Sequence, residues 1–373
     1  TRAIGWALAL AATCAVLGGQ REVGVARDEA VYLHHGVRYA TWWVDLIALR
    51  HGVGDAAIAP TFGGPGATDN NREHPPLMKT LIGLSVRGLH GGLGLTDELT
   101  AARVPGAVLH GVAVVVVFRW TLALWGVAEA VIAALALIGL PRALLHAGLA
   151  CFDAPTMTLW LVTLAAYHAA LAGRLRARWV GVAWGLALAT KHTALLLPFA
   201  LAPHYLWLGW RARGDARGWA AARRVIGHRR DVIAALAALG PATLYAAWPW
   251  LWHHPVQRIG AWLTFHATHV HYNFEYLGDN WNHPPFPWHV AVVTTLLTVP
   301  AGTLAAAALG VLARARGWWR TRGELADGAA LLLGLSLAAS MGPFFLGSTP
   351  IFGAEKHWQP AMASFAIAAA VGL

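Results

Sequence analysis

Residues 288–312 read WHVAVVTTLLTVPAGTLAAAALGVL, a run with no Asp, Glu, Lys or Arg. A helix of that length exceeds the hydrocarbon layer of a bilayer, about 30 Å thick, which roughly 20 helical residues cross. Further apolar blocks lie at 104–118, 127–141, 231–247 and 357–373. Of the 373 residues 57% are apolar and 12% charged, against about 25% charged in a soluble domain. The fold class that follows is an all-α polytopic membrane protein.

The formal net charge is +10, a value that can signal nucleic-acid binding. Its distribution points elsewhere. Half of the 28 cations crowd into three segments: Arg174, Arg176 and Arg178; then Arg211, Arg213, Arg217, Arg223, Arg224, Arg229 and Arg230; then Arg314, Arg316, Arg320 and Arg322. Short basic loops between apolar blocks follow the positive-inside rule. The expected partner is therefore the lipid bilayer and not nucleic acid. Cys14 falls in the middle of the first apolar run, so a disulfide with Cys151 is not expected.

Threading begins with a span at 3–19, retained rather than cleaved, because Arg2 is its only leading charge. The chain starts at Thr1 and stops at Leu373 inside apolar runs, so a natural chain longer at either end is expected. Residues 20–98 then form a first outer loop. Within it, 31–50 reads as an interfacial helix with Trp42 and Trp43 at headgroup level. TFGGPGATDNNREHPP (61–76) is loop by its Gly, Pro and Asn content, and 77–90 is a second surface helix. Spans follow at 100–118, 127–142, 153–173, 179–190, 193–210, 231–248, 288–312, 326–346 and 357–373, with a reversal at ATKHTA (189–194). The result is one transmembrane domain over 1–373, with a long outer loop at 249–287 and no soluble domain.

All three arginine segments then share one face. The opposite face collects Asp28 and Glu29, NREHPPLMK (71–79), Arg142, Asp153, Lys191, the loop 249–287 and GAEKHWQP (353–360). The only lysines, Lys79, Lys191 and Lys356, all fall there, where a compact ammonium suits an anionic ligand. Each candidate has a plainer reading. Asp28 and Glu29 would serve a helix start, where carboxylates favour the dipole; Asp97, in Thr96-Asp97-Glu98, reads as such a cap. Asp153 before Pro155 fits an N-cap, and Lys191 fits a snorkelling anchor. Glu73, His74 and Lys79 gather an acid, an imidazole and an ammonium around Pro75-Pro76. His266, His269 and His271 are candidate metal ligands in a Trp-, His- and Tyr-rich loop.

The order of these segments resembles a known series. Asp-Glu after the first span is followed by EHPP (73–76) with a lysine, then AARVPGAVLHG (101–111) and FDAP (152–155). GLALATKHTALLLP (185–198), PPFPWHVAVV (284–293) and EKHWQPAMASF (355–365) complete it. Over nearly the whole chain this is similar to the protein O-mannosyltransferase and aminoarabinose transferase group, lipid-phosphosugar-dependent glycosyltransferases of the GT-C fold. The resemblance implies a GT-C transmembrane helix bundle with extracytoplasmic surface helices. It also implies transfer of a sugar from a polyprenyl-phosphate donor to a protein, lipid or glycan acceptor, with inversion. The location it implies is a bacterial inner membrane with the site facing the periplasm.

By the same resemblance Asp28 is the catalytic base and Glu29 its partner. Tyr32, Asp153, Lys191 and Lys356 match further positions of the family's site, and His74, Lys79, Arg142, Arg258 and His357, on the same outer face, complete the expected donor- and phosphate-binding set. Glu73 and His269 match positions that hold a divalent metal in some relatives, so such a metal is the one candidate cofactor. Val31 stands where some relatives carry arginine, and His74 where some carry lysine, which points to a different phosphate clamp. Two readings from other classes are a carrier for lipids or small molecules and a non-catalytic envelope scaffold. A carrier predicts charges in mid-span and symmetry between halves, whereas the charges gather at one face.

Overall fold

The computed structural model describes residues 1–63, 69, 71–321 and 328–372, the side chains of 314–321 excepted. The side chains of the third arginine segment, part of the loop at 61–76 and the residues 326–327 and Leu373 therefore lie outside it. The described chain is a helical bundle of α1 (Arg2–Gly19), α2 (Arg27–Ile47), α3 (Asp55–Phe62), α4 (Leu77–Ser85), α5 (Glu98–Leu124), α6 (Val127–Ile138), α7 (Pro141–Ala147), α8 (Asp153–Leu171) and α9 (Arg178–Leu188). It continues through α10 (Leu197–Arg211), α11 (Gly218–Gly227), α12 (Arg230–Ala247), α13 (Pro255–Ala267), α14 (Val290–Thr298), α15 (Ala301–Thr321), α16 (Ala329–Met341) and α17 (Pro360–Gly372). One element departs from the all-α expectation. In the long loop, β1 (Phe274–Tyr276) pairs antiparallel with β2 (Asp279–Trp281) around Leu277-Gly278. Both turn residues have positive φ, as a two-residue hairpin with the sheet's own twist requires.

Among the described residues two helices are long and apolar enough to cross a membrane, α1 with its following turn and α5; counting two bent pairs as single spans gives four. The bends correct the expected spans at 127–142 and 288–312. α6 and α7 meet at 66°, and α14 and α15 at 119°. The cause is the same in both. Leu140 and Val299 are extended because each precedes a proline, whose ring disfavours helical backbone in the residue before it. Pro141 then restarts a helix at its first position, where its missing N–H costs nothing.

α5 is the spine, packed against α1, α4, α6 and α8. Asp97 caps it as expected, accepting from the Thr100 amide at 2.9 Å. Pro105 inside α5 leaves the Ala101 carbonyl without its helical donor, and the Ser85 hydroxyl donates to that carbonyl at 2.6 Å. Around the spine, α9 packs on α12, α15 on α17, and α10 on α16. The α2–α4 crossing depends on two glycines in van der Waals contact. A Cβ on Gly83 would lie 1.9 Å from the Gly36 carbonyl oxygen, and one on Gly36 would lie 2.6 Å from that of Lys79.

The two ends of the bundle differ in chemistry. At one end Arg229 donates to the Ala170 and Leu171 carbonyls that close α8, and the Arg229 amide donates to Tyr205 on α10. The two described arginine segments thus meet at the C-terminus of α8. At the other end, roughly 28 Å away by the rise of α8, Asp153 opens the same helix.

At that second end Arg103 of α5 is enclosed. Its Nε and Nη2 donate to the two Glu29 oxygens at 2.8 and 2.7 Å, and its remaining donors reach the Gln20, Val23 and Gly24 carbonyls. Glu29 also accepts from the amides of Ala26 and Ala150. Burial disfavours the Glu29 charge, but these donors outweigh it and hold the carboxyl below its ordinary 4.5.

Two outcomes follow. Gly83→Val forces α2 off α4 and lowers the midpoint of thermal unfolding in detergent by more than Gly88→Val, whose added Cβ would meet open space. Glu29→Gln leaves Arg103 buried without a counter-charge and costs about 3–5 kcal/mol at neutral pH. Because the folded carboxyl is the more acidic one, its contribution is complete above pH 4.5 and fades as pH falls below it. The stability gap between wild type and Glu29→Gln, followed by denaturation at stepped pH, therefore narrows in acid.

Candidate active site

Successive residues on a helix face different directions, and the first turn of α2 separates its two acids. Glu29 points inward to Arg103, while Asp28 is exposed, with Lys356 Nζ 3.8 Å from its Oδ2. The sequence expectation for Glu29 is corrected accordingly. With both oxygens taken up by a guanidinium and two amides it has no lone pair for chemistry, and it acts by fixing the direction in which Asp28 points.

Behind Asp28 lies a chain of acidic and basic side chains. Lys191, in the turn after α9, donates to Asp153 Oδ1 at 2.6 Å. The other oxygen of Asp153 is 3.9 Å from His146 Nδ1. His146 Nε2 is 3.5 Å from Glu355 Oε1, and the Arg142 Nε donates to that same oxygen. Arg142 and His146 share one face of α7 by their spacing of four. Glu355 and Lys356 are adjacent in the turn Ala354–Trp358 that leads into α17. Glu355 is buried, yet the His146 imidazole and the Arg142 guanidinium beside it hold it well below its ordinary value, at about 2. Asp153 is no N-cap, since no side-chain cap bond forms at the start of α8; nor is Lys191 a snorkelling anchor, its side chain being enclosed with Asp153.

The remaining expected residues divide. Tyr32 is buried with its ring 4.0 Å from that of Phe152, so it packs beneath Asp153, and burial pushes its phenol up. His74 packs on the same Phe152. Burial lowers the His74 and His192 pKa values well below normal and that of His266 to about 4. His192 and His266 stack at 3.7 Å, giving a group of neutral imidazoles beside Lys191. His357 commits its Nε2 to the Phe352 carbonyl at 2.6 Å.

Two cations expected to clamp phosphate are engaged elsewhere. Lys79 is fully buried and donates to Asp69 Oδ2 and the Asn71 carbonyl, both at 2.6 Å. Tyr39 donates to the same Asp69 oxygen at 2.7 Å. The ammonium holds Asp69 below its ordinary range in spite of burial, and the group anchors the loop before α4 to α2. Arg258 pairs with Asp55 of α3 at 2.7 Å and donates to the Trp250 carbonyl.

The metal expectation also meets a limit. Burial raises the Glu73 carboxyl, and the Asn71 side-chain amide donates to it at 3.1 Å. His269 Nδ1 lies 2.7 Å from the Val270 carbonyl, and its ring stacks on Phe352. Among the described residues no third ligand atom joins them, and two donors fall short of the three or four protein ligands of a stable site. His266, His269 and His271 likewise form no shared ligand set. His266 turns to His192 and the Glu73 carbonyl, and His271 packs near Phe286.

Sequence reasoning missed Arg103, His146, Asp69, Glu355 and Cys151. Arg103 carried a signal, an ionisable residue at the head of an apolar helix. Glu355 stood inside a segment already singled out, beside Lys356, and Cys151 immediately before another, two residues from Asp153. His146 and Asp69 had no distinguishing spacing.

No protein-family model and no curated protein sequence matches this chain. Solved structures do. ArnT from Cupriavidus metallidurans bound to undecaprenyl phosphate superposes with a TM-score of 0.61 at 18% identity, over 98% of this chain and 59% of that one. Its apo form gives 0.61 at 18%, over 100% and 60%. The oligosaccharyltransferase of Archaeoglobus fulgidus gives 0.51 at 12%, over 80% and 42%. The chain thus spans about three fifths of the length of the ArnT structures it matches. Likeness at such identities is a statement about architecture alone, the fold that this chain shares with those structures.

Proposed function

We propose that this chain is a membrane glycosyltransferase that moves a sugar from a polyprenyl-phosphate donor to an acceptor nucleophile, with Asp28 as general base. The observation that carries this reading is the pairing of an exposed carboxylate with a cation, Asp28 and Lys356 at 3.8 Å, at the edge of a set of cations that keep donors to spare. Lys191 has three N–H groups and one is taken by Asp153; Arg142 is 41% exposed with its Nε alone engaged by Glu355. A GT-C fold shared with an ArnT that binds undecaprenyl phosphate supports a donor of that class.

In the reaction the acceptor's oxygen or nitrogen attacks the anomeric carbon while its proton passes to Asp28. The bond from that carbon to the phosphate oxygen breaks, and the electron pair leaves with the phosphate. Lys356, Lys191 and Arg142 neutralise the charge that grows there. The leaving phosphate is stable as an anion, so no general acid is required. A single displacement inverts the anomeric centre. Lys356 has a second task when no donor is present: its ammonium screens Asp28, and a bound phosphate would draw it away and free the carboxylate. The arginine segments at the far end of α8 support a cytoplasmic far end and hence an outward-facing site, where a lipid-borne phosphosugar meets the headgroup layer.

In proteoliposomes with a labelled polyprenyl-phosphate sugar, Asp28→Asn lowers the transfer rate about 10²–10⁴-fold and leaves binding of the lipid phosphate intact. Lys356→Gln weakens lipid-phosphate binding and lowers kcat/KM. Transfer by Asp28→Asn at the wild-type rate would remove Asp28 from the role of base.

A further inference from the structure

The region behind Asp28 contains a donor set that the transferase chemistry does not use. His146 at the end of α7, Cys151 in the loop that follows and Asp153 at the head of α8 bring an imidazole nitrogen, a thiol sulfur and a carboxylate oxygen within 4.8 Å of one another. We infer that these three side chains form a binding site for a thiophilic divalent cation of the zinc class.

The imidazole is the first reason. His146 is 7% exposed, and its Nδ1 makes no hydrogen bond, while its Nε2 is turned to the Glu355 carboxylate. Leaving a buried polar atom unpaired is costly, and metal coordination at Nδ1 would satisfy the one that faces Asp153. The surrounding groups are the second reason. A metal-bound histidine usually presents its other nitrogen to a carboxylate, and Nε2 here faces Glu355 at 3.5 Å, already close but not aligned. Asp153 divides its oxygens in the same manner, one held by Lys191 at 2.6 Å and the other, 3.9 Å from His146 Nδ1, left toward the imidazole.

The donor chemistry selects the ion. Thiolate, imidazole and carboxylate together suit zinc, and oxygen-seeking magnesium or calcium would not take the sulfur. Tetrahedral zinc at ordinary bond lengths sets its ligands roughly 3.3–3.6 Å apart, so small side-chain rotations close the set. Three protein ligands leave one position for water or another oxygen. Coordination needs the thiolate, so Cys151 releases its proton to solvent as the ion binds. The two positive charges added are met by Asp153, Glu355 and that thiolate, against Lys191 and Arg142. This inference does not depend on the transferase reading, since it concerns binding alone.

The test uses tag-free protein in detergent, stripped by a chelator and titrated with Co²⁺. One equivalent should bind and produce a thiolate-to-cobalt charge-transfer band in the near ultraviolet, which Zn²⁺ then displaces. The band should persist in Cys14→Ser, whose thiol lies elsewhere on α1, and vanish in Cys151→Ser. Glu355→Gln should keep the band and weaken cobalt affinity about 10–100-fold. The inference is overturned if wild-type protein gives no such band at saturating cobalt, a result that needs no variant to fold. It is equally overturned if the band survives Cys151→Ser, or if Glu73→Gln abolishes cobalt binding while His146→Gln retains it.

Discussion

The guanidinium of Arg103 holds the site end of the bundle together. It lies at the head of the central helix and gathers the turn after α1 through the Gln20, Val23 and Gly24 carbonyls, and α2 through both oxygens of Glu29. Glu29 in turn accepts from Ala150, three residues before the aspartate that opens α8. A buried pair with poor geometry would cost more in desolvation than it returns. Here every strong donor and acceptor is satisfied, and four stretches of chain are fixed relative to one another. The direction of Asp28 is a consequence: with Glu29 locked inward, the preceding residue on the helix must face out.

The same logic of divided labour runs through the cluster behind it. Lys191 with Asp153, and Arg142 with Glu355, are paired, so neither cation nor carboxylate is stranded in an apolar bundle. Pairing does not exhaust them, because ammonium and guanidinium groups each carry several donors. A site for an anion can therefore be held in place before the anion arrives, with the carboxylates as scaffolding and the unused N–H groups as the recognition surface. The helix N-termini reinforce this. α2, α7, α8 and α17 all begin at this end, and the positive ends of their dipoles favour negative charge there.

Much of this was legible in the sequence, and the reasons for the rest are physical. Apolar blocks announced a helical bundle, and Asp97 announced its cap. The threading of spans and basic loops placed Asp28, Asp153, Lys191 and Lys356 at one end. The bends at Pro141 and Pro300 were written in the chain as well, but unbroken hydrophobicity over 288–312 outweighed a single residue's backbone rule. Pair partners were beyond reach. Arg142 and Glu355 are 213 residues apart, and no local pattern says which acid meets which base. Lys79 shows the converse error. It stands in α4 rather than in a loop, its partner Asp69, ten residues upstream, buries it, and a lysine's value as a ligand depends on what already holds it.

That last point bears on why three lysines in a chain of 25 arginines do three different things. An arginine spreads its charge over five donors and binds well in a fixed planar cage, as Arg103 does. A lysine places all its charge on one atom and can change partner by rotating a flexible stem. Buried against Asp69, Lys79 uses that compactness to fit a closed space among two tyrosine rings. Lys191, held by one carboxylate, keeps two donors. Lys356, partly exposed and 3.8 Å from Asp28, is the least constrained, and it alone stands close enough to Asp28 for its position to govern whether that carboxylate is screened. The gradient from closed to open along the three lysines is set by how many acceptors surround each ammonium, and it ends at the exposed acid.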